Sequence, residues 1–270
     1  MEHSFPLQSA MIIGAMKCGT TSLYEYLKDH PAFALPKVKE PEYFSQHWEL
    51  GPYAEVFEPF TKSHTYALDA STGYTKYPMR EGVPKRIYDY GLQPKFIYLV
   101  RNPFDRIESH HNFISRFEYW NETIEADALV AISKYHFQLQ QYRSFFPKED
   151  FLILDFGQLQ RDPKAVLLKV YAFLGMGDSH IPSNFGIHNK TEIDAQVERS
   201  LRSKVGGVLP FLPESVKQLG KRLLKRGRPI AKVQLTDAQR SRVHDKLRDD
   251  MLRFQEEYGF DVSDWGFSKT

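Results

Sequence analysis

The chain has 270 residues, 41% of them hydrophobic, enough to bury the core of one large α/β domain, and it reads as a single domain over 1–270. A formal charge of +2 does not supply the broad basic surface of a nucleic-acid binder, and no stretch approaches the roughly 18 apolar residues of a membrane span. Cys18 is the single cysteine, which excludes an internal disulfide and a cysteine-built zinc site; with no basic-then-apolar order at the N-terminus, a cytoplasmic protein is expected.

The first expected element is a strand of buried type over 10–14 (AMIIG), followed by a Gly/Thr turn and a helix over 20–28 that His30 and Pro31 end. Short strands are expected over 66–69, 95–100 and 151–155. The second, KFIYLV, is the clearest because both alternating faces are apolar. Between them the spacing predicts helices over 78–90, 103–117, 124–146 and 163–174, three of them with proline at the start. Strands alternating with helices imply an α/β fold with a central parallel sheet flanked by helices. From about 176 to 235 glycines and prolines break the chain repeatedly, giving a loop-rich closing region. Its basic run, 217–232, is either a solvated helix face or an anion-binding segment. Helical period returns over 236–258, with Val243, Leu247, Met251 and Phe254 on one stripe and Thr236 as N-cap.

The run Gly14-Ala15-Met16-Lys17-Cys18-Gly19-Thr20-Thr21-Ser22 lies between an expected strand and helix, where backbone N–H groups and the positive helix end converge on an anion. Gly14 and Gly19 permit a tight turn and close approach, Thr20, Thr21 and Ser22 add hydroxyls, and Lys17 adds a mobile positive charge. The spacing departs from the triphosphate loop G-x-x-x-x-G-K-[ST] at one position: Thr20 stands where the lysine belongs, and the lysine is at 17. The grip on β- and γ-phosphates with hydroxyl-bound Mg²⁺ is not reproduced, so a phosphosulfate suits the loop better. Cys18, inside this positive loop, counts among the cofactor contacts and is expected to have a lowered thiol pKa.

A second run, Arg101-Asn102-Pro103-Phe104-Asp105-Arg106-Ile107-Glu108-Ser109, follows KFIYLV directly. Arg101 leaves the carboxyl end of that strand, where open parallel sheets bind ligands, and Ser109 lies in the first turns of the next helix. Singly they read as a strand-end ion pair and a surface residue; together they suit a second phosphate.

With these two motifs in this order the chain resembles the family of sulfotransferases that use 3′-phosphoadenosine-5′-phosphosulfate (PAPS), especially the branch of heparan sulfate and other carbohydrate sulfotransferases. The resemblance runs from about Met11 to Trp265. IIGAMKCGTTSLYEYLKDHP is similar to the 5′-phosphosulfate loop, and YLVRNPFDRIESHH to the 3′-phosphate motif R-[DN]-P-x-x-R-x-x-S. The resemblance implies a P-loop NTPase-like sulfotransferase fold, PAPS as donor without a metal, 3′-phosphoadenosine 5′-phosphate as product, and a small-molecule or glycan acceptor. It places Lys17, Gly19, Thr20 and Thr21 on the 5′-phosphosulfate and Arg101 with Ser109 on the 3′-phosphate, Gly14 serving the turn.

KEPEYF, residues 39–44, resembles the segment in which heparan sulfate enzymes carry a glutamate base, which puts that role on Glu40, with Glu42 as the second acid. LDASTGY, residues 68–74, looks like the family's E-K-[ST]-x-x-Y, yet Ala70 replaces the lysine and sets the heparan-type acceptor in doubt. Asp69 either lines the acceptor site or caps a turn. Asn189-Lys190-Thr191 resembles an N-K-T of the family, and Arg226-Gly227-Arg228 the K-G-R loop that closes over PAPS.

His110 and His111, adjacent on a helix, face different ways and cannot share a site; they read as surface or packing residues. Phe113, Phe117, Tyr119 and Trp120 suit a core or cleft wall. The mechanism implied is in-line displacement at sulfur, the cationic loop doing what Mg²⁺ does in phosphoryl transfer. Two rivals stand beside it: a Mg²⁺-dependent kinase or nucleotide hydrolase, which the missing loop lysine opposes, and a non-catalytic nucleotide or polyanion binder.

Overall fold

A computed structural model of the chain describes residues 7–117, 120–178, 180–186 and 232–268. Among them five parallel strands form one sheet: β1 (Gln8–Gly14), β2 (Phe33–Ala34), β3 (Tyr66–Asp69), β4 (Lys95–Val100) and β5 (Phe151–Asp155), in the order β2-β3-β1-β4-β5. Residues 10–14 of β1 and 96–100 of β4 are buried on both faces, which is why each strand reads as an unbroken apolar run. From β1 the chain moves toward β3 and β2, and from β4 toward β5. The carboxyl ends of β1 and β4 therefore border the crevice where connections diverge, the ligand position of open α/β sheets.

The helices are α1 (Thr20–Leu27), α2 (Val83–Asp89), α3 (Pro103–Ile114), α4 (Asp127–Ser133), α5 (Tyr135–Arg143), α6 (Phe156–Arg161), α7 (Pro163–Phe173) and α8 (Asp237–Tyr258). The expected stripe of α8, Val243, Leu247, Met251 and Phe254, is fully buried, and Thr236 opens the helix in a capping box with Gln239. One hydrophobic core takes in residues from Ala10 to Phe267.

Three helix expectations need correction. The helix expected over 78–90 starts at Val83, because Pro84 and not Pro78 occupies the first turn. The helix expected over 103–117 ends at Ile114, Ser115 being its C-cap. The single helix expected over 124–146 is two helices, parted at Lys134, whose ψ of 84° leaves the helical region. Asp250 of α8 supplies the cap that makes the break possible, accepting from the N–H groups of His136 (3.1 Å) and Phe137 (2.8 Å). Spacing did not announce β2, which is too short to show a period, or α6, which Asp155 starts by accepting from Gly157 and Gln158 N–H.

At the end of β3 the Asp69 side chain is fully buried and accepts from Tyr53 (3.0 Å), Tyr74 (2.7 Å) and Ser71 (2.6 Å) hydroxyls. It is a structural hub and not an acceptor-site wall. Burial lifts its carboxyl from 3.8 to about 6, against the pull of the three hydroxyls. The folded chain thus holds this proton more tightly than the unfolded one, so stability from Asp69 is greatest below the unfolded value and falls as pH rises through the folded one. Asp69→Asn is expected to flatten the stability profile between pH 3.8 and about 6 in urea titrations. Asp69→Ala, which strands three buried hydroxyls, should cost about 3 kcal/mol.

Candidate active site

The loop after β1 turns through left-handed backbone three times, at Gly14 (φ 146°), Lys17 (φ 73°) and Gly19 (φ 87°). A Cβ on Gly14 would sit 2.1 Å from Thr75 Oγ1, the hydroxyl that ties the end of β1 to the segment after β3 by donating to the Ile13 carbonyl. Gly19 is the N-cap of α1 and offers no side-chain cap. The first helical bond runs from Leu23 N–H to the Gly19 carbonyl, so residues 20–22 form the positive first turn of the helix. α3 differs: Asn102 accepts from Phe104 N–H (3.0 Å) and caps it internally. Of the two helix starts, that of α1 is the one without a side-chain cap.

Lys17 is half-buried, with its ammonium 4.5 Å from the centre of the Phe113 ring on α3. The Thr21 hydroxyl accepts from Lys39 Nζ at 2.8 Å, and the Ser22 hydroxyl engages Tyr26 one turn along. Arg101 leaves β4 with its backbone clasped by the Tyr135 hydroxyl, which donates to its carbonyl (2.6 Å) and accepts from its N–H (3.3 Å). Its guanidinium stands 5.1 Å over the Phe156 ring and 3.4 Å from Asp105. The same Phe156 ring packs on Gly19, where an added Cβ would lie 2.6 Å from it. Phe156, which the sequence reading missed, joins the two anion motifs across the crevice. Ser109 is half-buried in the second turn of α3.

Among the described residues only three non-glycine residues have positive φ: Lys17, Glu40 and Glu42. Such backbone costs on the order of 1–3 kcal/mol and persists where surrounding structure enforces it, most often at functional sites. For Glu42 the enforcement is local: its N–H donates to Ser71 Oγ, and its carboxylate accepts from Gly73 N–H (2.9 Å) and from Ser45. Glu42 is therefore committed to the fold. Glu40 is half-buried, 3.8 Å from the Lys39 ammonium that also holds Thr21 of α1. Lys39 thus stitches the Glu40 loop to the start of α1.

The expected thiol activation at Cys18 is overturned. Its side chain turns into the core beside Tyr135, its N–H donates to the Ala15 carbonyl (3.1 Å), and burial raises the thiol from 9.0 to about 11 despite Arg106 and Arg101. Native protein should resist iodoacetamide at pH 8 and react only after urea unfolding, as read by mass spectrometry.

His110 and His111, expected on the surface or in packing, are both buried, and His110 is bonded to Arg106. Phe113 and Phe117 meet edge to face at 5.8 Å. Tyr119, Asn189 to Thr191 and the cofactor contacts expected at Arg226, Gly227 and Arg228 lie outside the described residues. No helix among the described residues is long and apolar enough to cross a membrane.

A parallel sheet with an uncapped helix start and an arginine at its crevice is the layout of phosphate-loop folds. A family model described as sulfotransferase domain matches residues 7–199, and the chain belongs to that family. Human heparan sulfate glucosamine 3-O-sulfotransferase 5 is 28% identical over 190 residues, covering 63% of this chain and 54% of that protein. Mouse bifunctional heparan sulfate N-deacetylase/N-sulfotransferase 4 is 27% identical over 199 residues, covering 63% and 22%. The chain thus spans about half, or less, of the length of these curated relatives. A crystal structure of a sulfotransferase from Alicyclobacillus acidocaldarius superposes with a TM-score of 0.68 at 20% identity, covering 97% of this chain and 99% of that one, so the two share a fold.

Proposed function

We propose that this chain transfers a sulfuryl group from PAPS to a hydroxyl or amine, with a carbohydrate as the acceptor class. The observation that carries the reading is the approach of the uncapped α1 start and Arg101 to one ring, Phe156, at the β1–β4 crevice. The fit to a nucleotide with phosphate at both ends rests on two features: the positive end of α1, which has no side-chain cap, and a separate guanidinium across the same ring.

When bound, PAPS supplies an activated S–O bond. The α1 amides and Thr20 hold the 5′-phosphate, Arg101 and Ser109 hold the 3′-phosphate, and Gly14 and Gly19 keep the loop backbone close. Glu40 takes the proton of the acceptor as its oxygen or nitrogen bonds to sulfur. The S–O bond to the phosphate breaks, its electron pair stays on the phosphate oxygen, and Lys17 balances that charge. The carbohydrate class is supported by the heparan sulfate acceptors in the relatives' names, and Ala70 argues for an acceptor unlike theirs.

Incubation with ³⁵S-labelled PAPS and a panel of glycans, amino sugars, lipids and phenols tests it, with labelled glycan expected. Adenosine 3′,5′-bisphosphate binding without any labelled product would leave a non-catalytic binder. Mg²⁺-dependent ATP turnover would favour the hydrolase.

A further inference from the structure

Arg106 is fully buried on α3, donating from Nε to Ser133 Oγ (2.5 Å) and from Nη2 to the Leu129 carbonyl (2.6 Å). Its Nη1 lies 3.2 Å from His110 Nδ1. A guanidinium carries donors alone and keeps its charge in proteins, so His110 Nδ1 must be the acceptor and the ring proton sits on Nε2. Protonating Nδ1 would break that bond and oppose two cations. Burial and the charges of Arg106, Lys76, Lys17 and His111 accordingly hold the imidazole well below its usual range. His110 is a neutral ring with a fixed Nε2–H, and that nitrogen makes no hydrogen bond to a described residue.

The same face of α3 carries Phe113 one turn on, with the Lys17 ammonium on its ring, so His110 stands beside the loop that follows β1. Lys76 is close enough for its charge to act on the His110 ring. It follows Thr75, whose hydroxyl holds the end of β1, and Gly73, whose N–H holds Glu42. Lys76 is half-buried, feels Glu42 and Glu40 as attractive charges and Arg80 and Arg106 as repulsive ones, and forms no ion pair with a described residue. An ammonium withdrawn from water without a bonded carboxylate is ready for an anion that arrives.

We propose, building on the sulfuryl-transfer reading, that Lys76 and the Nε2–H of His110 are further catalytic groups that hold the oxygens of the sulfuryl group during its passage from donor phosphate to acceptor. Neither gains or loses a proton. The acceptor bond to sulfur forms as the phosphate–sulfur bridge breaks, the acceptor proton goes to Glu40, and the two donors stay on the non-bridging oxygens throughout.

Lys76→Met removes the charge with little change of shape, and His110→Asn keeps an acceptor for Arg106 while losing the distal donor. Each should lower kcat about 100-fold. Calorimetry should show unchanged binding of adenosine 3′,5′-bisphosphate, which has no sulfuryl group, and a reduced preference for PAPS over it. Lys76→Arg should recover part of both. In the unaltered chain, ¹⁵N spectra of His110 should show a bare Nδ1 and a protonated Nε2 across neutral pH. An Nδ1–H signature, or wild-type kcat and PAPS preference in both variants, overturns the clamp and leaves the donor reading standing. Failure of the unaltered chain to bind the bisphosphate overturns the donor reading itself.

Discussion

Glu40→Gln is expected to lower kcat by about 10²–10⁴-fold while leaving adenosine 3′,5′-bisphosphate affinity unchanged. The amide keeps the shape of the side chain and its place in the left-handed turn but cannot take a proton. The loop of Glu40, the base proposed above, is bound through Lys39 to Thr21 in the first turn of α1. Glu42, two residues on, has both carboxylate oxygens committed to Gly73 and Ser45. Single-turnover assays with labelled PAPS separate loss of chemistry from loss of binding. A Glu40→Gln protein with unchanged kcat would move the base elsewhere, and a Glu42→Gln protein that lost only stability would agree with Glu42 as a structural acid.

Gly19→Ala should damage folding and donor binding together. Its φ of 87° disfavours any Cβ, and that Cβ would approach the Phe156 ring at 2.6 Å and 2.8 Å and Leu159 at 3.2 Å. Left-handed strain of about 1–3 kcal/mol adds to an overpacking cost of similar size. The ring that must yield also carries the Arg101 guanidinium, so relief of the clash moves Arg101. Thermal denaturation should show a clear drop in Tm, and bisphosphate affinity should fall at least tenfold, on the order of 1.4 kcal/mol. In the double variant Gly19→Ala with Phe156→Leu, stability should return in part while affinity stays low. Recovery of both would mean that the ring is mere packing and not the shelf that aligns Arg101.

The sheet and the strand–loop–helix unit after β1 were legible because they are local. Residues 10–14 of β1 and 96–100 of β4 are continuous apolar runs, and residues 14–22 pack their glycines, lysine and hydroxyls into nine consecutive positions. Where expectation failed, the deciding contact came from far along the chain. Asp250 breaks the helix expected over 124–146 by capping α5 from α8. Tyr135, 117 residues from Cys18, helps enclose a thiol that charge alone would have activated.

The same division runs through the site. Residue order by itself determined the parallel α/β architecture, the family resemblance and the two motifs, Lys17 to Ser22 and Arg101 to Ser109, since each motif lies within its own strand–loop–helix unit. Folding in three dimensions settled which acid is held rigid, that His110 is buried against Arg106 and which ring stands between Gly19 and Arg101. Those outcomes depend on burial and on the partner across the cleft, and neither quantity is carried by a residue's neighbours in sequence.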